Sequence, residues 1–170
     1  MKKYLYTDID GVLCLGSEIK PKNTKWGWVY SFNKKAVKIY NEILKITDAE
    51  IIVSSDWKDE YNLKQLGEIF EWQGIIKKPI GITPSLANKT MQFLERDRCR
   101  EILIHVNINK PDIWVAIDDL DLQDWWSGKL VVHDYKEKNK DPHFVFMPKF
   151  NEGVKQTGKF TEICDKLKMK

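Results

Sequence analysis

The sequence predicts an α/β fold, a three-layer α/β/α sandwich built around a mainly parallel sheet. Three apolar runs support this prediction, at residues 4–6, 51–53 and 113–117, and polar side chains follow each of them. The first two runs are separated by a segment with helical periodicity, and such strand–helix–strand crossovers place the two strands parallel. A chain of 170 residues can bury a core on both faces of a small sheet. We therefore expect a single domain over residues 1–170.

Two acids and a glycine follow the first apolar run. Asp8, Asp10 and Gly11 come just after the strand predicted around residues 4–6. Carboxylates this close repel each other unless a cation or a proton lies between them. Open α/β sheets carry their chemistry at the carboxyl ends of parallel strands, so a metal ion or a substrate phosphate would suit this place. Taken alone, the same residues also fit an Asp-Gly turn capped by acids.

The segment at residues 15–30 is rich in turn residues and contains two tryptophans. It predicts a short flap or loop insertion above the end of the first strand, too short for a cap domain. Asn33 is then a predicted N-cap, because apolar residues recur with helical spacing from there to Ile46.

Two hydroxyl side chains, Ser54 and Ser55, follow the second apolar run and precede a helix predicted from Asp56 to Gly74. A hydroxyl in this place can cap the helix, or it can bind phosphate together with the exposed amides of the helix N-terminus. We favour phosphate binding. Ser54 is preferred and Ser55 is the alternative, since Ser54 comes directly after the apolar run.

The third apolar run ends in the adjacent acids Asp118 and Asp119. The run is wholly apolar, as buried parallel strands are, so we expect its acids to emerge beside Asp8. A helix predicted over residues 89–106 precedes this strand and carries several basic side chains, most of which would form a solvated face.

Composition limits the classes of protein to consider. The three cysteines are widely spaced, which indicates neither a disulfide framework nor a CxxC metal site. The net charge of only +3 permits an anionic substrate without requiring nucleic acid. No apolar run approaches the ~20 residues of a membrane helix, and the chain begins with Met1 and two lysines rather than a signal peptide. We expect a cytoplasmic protein without membrane partners.

The strand ends resemble the motifs of the haloacid dehalogenase (HAD) superfamily. Residues 8–11 look like its first motif, residues 49–55 like its second and residues 114–119 like its fourth. In finer detail, residues 54–57 and 98–102 and the adjacent acids are similar to the small HAD phosphatase domains associated with RNA-repair proteins. The resemblance implies a Rossmann-like, HAD-like sheet with a minimal cap domain or none.

The resemblance also implies a Mg²⁺-dependent phosphatase. Asp8 would be the nucleophile that forms an aspartyl-phosphate, and Asp10 would protonate the leaving alcohol and later activate water. Mg²⁺ would be held by Asp8, the backbone carbonyl of Asp10 and an acid from Asp118 and Asp119. The superfamily varies in which of two adjacent acids binds the ion, so that choice stays open.

A hydroxyl and a cation would complete the implied site. Ser54 would donate a hydrogen bond to a phosphate oxygen, and either Arg98 or Lys89 would offset the negative charge. The sequence does not choose between these two basic residues. The expected substrate-binding residues are Gly11, Ser54, Ser55 and Trp57.

The expected partner is a phosphorylated substrate, with a nucleotide or a polynucleotide end favoured and a phosphoprotein as the alternative. Asp10 favours a phosphatase over the dehalogenase branch, which needs no acid two residues after its nucleophile. Two other functions use the same sequence features. One is a non-catalytic nucleic-acid or nucleotide binding module that stacks bases on its tryptophans, and the other is a phosphotransferase.

Overall fold

A computed structural model describes residues 1–16, 20–86, 93–122 and 143–168. Within these ranges, none of the helices combines the length and the apolar character needed to cross a lipid bilayer. The strands are β1 (Lys3–Thr7), β2 (Pro21–Thr24), β3 (Gly27–Tyr30), β4 (Glu50–Val53), β5 (Gly81–Ile82), β6 (Ile113–Asp118) and β7 (Phe144–Phe146). The helices are α1 (Lys34–Thr47), α2 (Trp57–Glu60), α3 (Leu63–Trp72), α4 (Leu94–Asn109) and α5 (Lys159–Lys168).

The main sheet is parallel and has β1 at its centre. Its strand order is β5-β4-β1-β6-β7, and each neighbouring pair is parallel. The register aligns Thr7 of β1 with Val53 of β4 and with Ile117 of β6. The three strands therefore end side by side, and the predicted α/β class with a mainly parallel sheet is confirmed.

Side chains of β1 alternate between two cores, one on each face of the sheet. Leu5 is completely buried on the face covered by α1, α3 and α5. Tyr6 is completely buried on the other face, where α4 packs. Full burial of one large apolar side chain contributes about 1.5–3 kcal/mol. The central strand is therefore fixed from both sides, as the three-layer architecture requires.

The predicted flap segment contains an antiparallel hairpin formed by β2 and β3 outside the main sheet. Side chains of β3 alternate, because successive residues of a strand point to opposite faces. Val29 is completely buried, whereas its neighbours Trp28 and Tyr30 are 66% and 45% exposed. The hairpin is thus held by one inward side chain and presents two aromatic rings outward.

The prediction of one continuous helix from Asp56 to Gly74 is wrong, since α2 ends at Glu60 and α3 begins at Leu63. Asn62 separates them as the N-cap of α3. Its Oδ1 accepts a hydrogen bond from the backbone N–H of Gln65 at 3.0 Å, and the Gln65 side chain accepts one from the backbone of Asn62. This reciprocal capping box starts a new helix. The helix predicted over residues 89–106 is α4 in the described part of the chain.

Candidate active site

The carboxyl ends of β1, β4 and β6 bring Asp8, Ser54 and Asp118 to one edge of the sheet. The backbone N–H of Asp8 donates to the carbonyl of Ile117 at 3.0 Å, and that of Ser54 donates to the carbonyl of Thr7 at 3.0 Å. Sheet hydrogen bonding thus continues past the ends of β1 and β4. It fixes the backbone of the nucleophile candidate and of the hydroxyl candidate relative to each other.

Three carboxylates converge at this edge. Asp8, Asp118 and Asp119 each offer an oxygen atom, and these atoms all lie within 4.8 Å of one another. Burial and the nearby Asp8 raise the pKa of Asp118 well above its ordinary value and raise the pKa of Asp119 to about 7. Such a cluster favours a bound cation or a proton, and its oxygen ligands suit Mg²⁺.

The glycine of the first motif makes room for this cluster. Gly11 has a φ of +68°, in the left-handed region, and a Cβ atom there would overlap the carboxylate of Asp119. A larger residue would therefore be strained and would displace the acid. The predicted contact of Gly11 with substrate stays a prediction.

Arg98 lies on α4 and donates hydrogen bonds to three carboxylates. Its Nη1 donates to Asp8 Oδ1 at 3.0 Å and to Asp118 Oδ2 at 3.3 Å, and its Nη2 donates to Asp56 Oδ1 at 3.0 Å. Burial alone would lower the pKa of Arg98, but Asp8 and Asp118 outweigh it and raise the pKa above its ordinary value. The other basic candidate, Lys89, lies outside the described residues.

A buried ion pair supports Arg98 from behind, and the sequence interpretation missed it. Lys58 Nζ donates to Glu101 Oε2 at 2.9 Å, and the two side chains are 1% and 0% exposed. Glu101 Oε2 also lies 4.0 Å from Arg98 Nε, and Glu101 Oε1 accepts from the backbone N–H of Leu86 at 3.0 Å. The sequence did contain a signal that Glu101 lies beside Arg98, because residues three apart on a helix share a face.

The side chain of Asp10 points away from the three converging carboxylates and towards Trp57. Its Oδ2 accepts a hydrogen bond from Trp57 Nε1 at 3.0 Å, and its carboxylate is not among the three that converge. Burial and the nearby Asp8 raise the pKa of Asp10 to about 6. Trp57, only 7% exposed at the start of α2, therefore holds this acid in place. The predicted metal contact of Asp10 uses its backbone carbonyl and stays a prediction.

The two serines after β4 differ in their partners. Ser54 Oγ is buried and has no hydrogen-bond partner among the described residues. Ser55 Oγ accepts from the backbone N–H of Trp57 at 3.5 Å, at the start of α2. A buried hydroxyl without a partner is costly in free energy, so Ser54 is the one suited to meet a ligand.

An open cleft of about 160 Å³ lies in front of Asp10. The hairpin forms one wall and α2 with its following residue forms another. Acidic and aromatic side chains dominate its lining, which comprises Asp10, Trp28, Tyr30, Asp56, Trp57, Glu60 and Tyr61.

Comparison with known families places this geometry in context. A family model described as the HAD domain in Swiss Army Knife RNA repair proteins matches residues 4–145. This span contains all the site residues predicted from the sequence. Searches for similar curated proteins and for similar solved structures found no match.

Proposed function

This chain belongs to the family of HAD domains in Swiss Army Knife RNA repair proteins, and we propose that it is a Mg²⁺-dependent phosphatase acting through an aspartyl-phosphate. Membership supports a phosphatase-like function of the HAD superfamily in general terms. One observation supports the finer proposal: Asp8, Asp118 and Asp119 converge within 4.8 Å while Arg98 Nη1 contacts Asp8 at 3.0 Å. Buried carboxylates and a cation at one sheet edge suit phosphoryl transfer.

Mg²⁺ fits the donors at this edge. Asp8, one or both of Asp118 and Asp119, and the backbone carbonyl of Asp10 would hold the ion. When bound, it would offset the negative charge of the carboxylates and of the substrate phosphate. The raised pKa values of Asp118 and Asp119 support this assignment, because they reflect the cost of burying these acids beside Asp8 without a metal ion.

Asp8 is the proposed nucleophile. Its carboxylate oxygen forms a bond to phosphorus as the bond between phosphorus and the leaving oxygen breaks, which leaves a phosphoryl group on Asp8. Arg98 orients this carboxylate through its 3.0 Å contact and offers positive charge to the phosphate oxygens. The unpartnered hydroxyl of Ser54 donates to one of those oxygens.

Asp10 is the proposed general acid and base. With a pKa raised to about 6, its carboxyl keeps a protonated fraction near neutral pH and can donate a proton to the leaving oxygen. The resulting carboxylate then accepts a proton from the water that hydrolyses the aspartyl-phosphate. Trp57 positions it for both steps through the hydrogen bond from Nε1.

The proposed substrate is a phosphorylated nucleic-acid end or a nucleotide. Support comes from the family description, which refers to RNA repair proteins, and from the aromatic cleft beside Asp10. A phosphoprotein substrate and transfer of the phosphoryl group to an acceptor other than water are the alternatives to test.

The test is phosphate release in the presence of Mg²⁺. The panel compares 3′- and 5′-phosphorylated oligonucleotides, mononucleotides and a phosphopeptide, each also with an acceptor alcohol to detect transfer. We expect release from oligonucleotides or nucleotides by the unmodified protein and none by Asp8→Asn. Asp165→Asn, an exposed acid on α5, is the matched control and should stay active. Failure to release phosphate from any compound, combined with oligonucleotide binding, would support the binding module instead.

A further inference from the structure

The cleft in front of Asp10 has room for one aromatic ring system. Its volume of about 160 Å³ is close to the ~150 Å³ of an engineered cavity that binds benzene. The acid that would protonate the leaving oxygen lines the cleft. Whatever occupies the cleft would therefore belong to the leaving group of the substrate rather than to its phosphate.

The hairpin supplies two of the aromatic side chains by strand alternation. Trp28 and Tyr30 are two residues apart on β3 and share its outward face, because Val29 between them is completely buried. Trp28 and Tyr30 keep 66% and 45% of their surfaces exposed, so two neighbouring rings form one exposed apolar patch, and contiguous patches of this kind mark interaction sites. This face of the hairpin is part of the cleft wall.

The wall formed by α2 and Tyr61 connects the cleft to Asp10, the proposed general acid. Trp57 and Tyr61 are 7% and 9% exposed, with ring centroids 5.8 Å apart, so they form a buried, packed wall of the cleft. Trp57 also donates the 3.0 Å hydrogen bond that holds Asp10. A ring in the cleft would thus pack against the side chain that positions the proposed general acid.

The acidic side chains of the cleft favour an aromatic ring that carries hydrogen-bond donors. Asp10, Asp56 and Glu60 line it, and its lining among the described residues includes no lysine or arginine. Carboxylates repel phosphate groups but accept hydrogen bonds from amino and ring N–H groups. An exocyclic amino group supplies two such N–H donors on one nitrogen, whereas uracil has a single ring N–H and the ring of a phosphotyrosine has none to offer.

We infer that this cleft binds the nucleobase of the nucleotide that carries the scissile phosphate, with a preference for bases that bear an amino group. The inference rests on the proposed phosphatase function and identifies what the active site recognises beyond the phosphate. Because the base must enter a cleft, the terminal nucleotide must be unpaired. Trp28 and Tyr30 are binding residues in this account, and Trp57 is a positioning residue for Asp10.

The experiment compares single-stranded oligonucleotides that differ only at the phosphorylated nucleotide, in 3′- and 5′-phosphate versions. That nucleotide carries cytosine, carries uracil or lacks a base, and a phosphotyrosine peptide is included. Stacking of one base is worth ~1–3 kcal/mol, so kcat/KM should fall about 5- to 150-fold without the base. Uracil should be a poorer substrate than cytosine.

Substitutions at the cleft test whether the base effect arises there. Trp28→Ala should lose a similar factor on the cytosine substrate and a much smaller one on the abasic substrate, while Trp28→Phe should keep most of the preference. Phe160→Ala, which truncates a partly exposed ring on α5 outside the cleft, should change neither rate.

Equilibrium binding of the same oligonucleotides separates this inference from the proposed function. If no substrate releases phosphate, the phosphatase proposal fails, and weaker binding of the abasic oligonucleotide would still support the base cleft. Equal kcat/KM and equal Kd for the base-bearing and abasic oligonucleotides would overturn the inference while leaving the phosphatase intact. A phosphotyrosine peptide that is preferred and that depends on Trp28 would overturn it as well.

Discussion

Two sides of the candidate active site differ in how deeply their charged groups are buried. The closed side, which comprises Arg98, Asp118, Lys58 and Glu101, buries its charged groups and pairs acids with cations. The open side, which comprises Trp28, Tyr30, Asp56 and Glu60, has its acids and aromatic rings at the surface of a cleft, and Asp56 there also accepts a hydrogen bond from Arg98. Asp8 belongs to the first region and Asp10 borders the second. Groups on the closed side fix the geometry of the site, and groups on the open side would contact the leaving group in the proposed reaction.

Buried ion pairs are weak contributors to stability, because removing two charges from water costs about as much as their attraction returns. On the closed side, these ion pairs therefore serve mainly to hold the catalytic candidates in position. Arg98 reaches Asp8 and Asp118 from a different secondary-structure element, and Glu101 lies directly behind it. If this division is correct, substitutions on the closed side should change stability strongly and those on the open side should mainly change turnover.

The largest effect is expected at the boundary of the two sides. Asp10→Asn removes the proposed general acid and base but keeps the size of the side chain, so kcat should fall about 10²–10⁴-fold while the melting temperature changes little. Phosphate release on the best substrate of the panel measures the loss. A rate within about twofold of the unmodified protein would remove Asp10 from the mechanism.

The closed side is tested next by Lys58→Met. This substitution leaves the Glu101 carboxylate, which is 0% exposed, without its main cation, and breaking a buried pair costs about 3–5 kcal/mol. Urea unfolding measures the change in the free energy of unfolding. Lys58→Met combined with Glu101→Gln should recover much of the loss, because the uncompensated charge is then gone. A single-variant loss below about 1 kcal/mol would show that the pair is not needed.

Strand ends were predictable from the sequence because their signal is local. An apolar run that ends in Asp8, Ser54 or Asp118 identifies both the strand and the edge at which it stops. The contacts between elements were not predictable in this way. Trp57 lies 47 positions from Asp10 in the chain, and Lys58 lies 43 positions from Glu101, so only the tertiary fold brings each pair together.

The helix error has a local cause that the sequence did contain. Asn62 and Gln65 have the spacing of a capping box, and this signal outweighs the apolar periodicity that continues from Asp56 to Gly74. Whether Arg98 or Lys89 faces the acids depends on where α4 begins and how it is rotated on the sheet. Periodicity alone does not determine either quantity.

Mg²⁺ should stabilise the protein in a pH-dependent manner. Burial and Asp8 raise the pKa of Asp119 from 3.8 to about 7, so the metal-free folded state retains protons that the unfolded chain releases between about pH 4 and 7. The contribution of Asp119 to the free energy of unfolding of the metal-free protein therefore falls as pH rises through that window. Since Mg²⁺ competes with those protons, its stabilising effect should grow from pH 5 to pH 7.5.

Thermal melts with and without Mg²⁺ at each pH measure this effect, which should reach about 2.7 kcal/mol at a concentration 100 times Kd. Burial lowers the pKa of His105, but this contribution is the same with and without the ion and cancels in the difference. Asp119→Asn should reduce the effect of Mg²⁺. Melts that do not respond to millimolar Mg²⁺ at pH 7.5 would argue against a metal site at Asp8, Asp118 and Asp119.

The smallest expected effect is that of Trp57→Phe, which keeps an aromatic ring in the cleft but removes the donor to Asp10. A hydrogen bond to a charged group is worth about 1.5–3 kcal/mol, and part of this should appear as a roughly tenfold loss of kcat. The Trp57 N–H favours the ionised form of Asp10, so its removal raises the pKa of Asp10. The pH above which kcat declines should therefore move upward. An unchanged pH profile would mean that Trp57 contributes packing alone and does not influence the pKa of Asp10.

The most direct measurement of the central claim is capture of the proposed intermediate on Asp8. The protein is mixed with an oligonucleotide whose terminal phosphate is radioactive, the reaction is stopped with acid during the first turnover, and the labelled residue is mapped. We predict a label on Asp8 that hydroxylamine removes, as expected for an acyl phosphate, and no label on Asp8→Asn. Rapid phosphate release without a labelled protein, or equal labelling of Asp8→Asn, would contradict it.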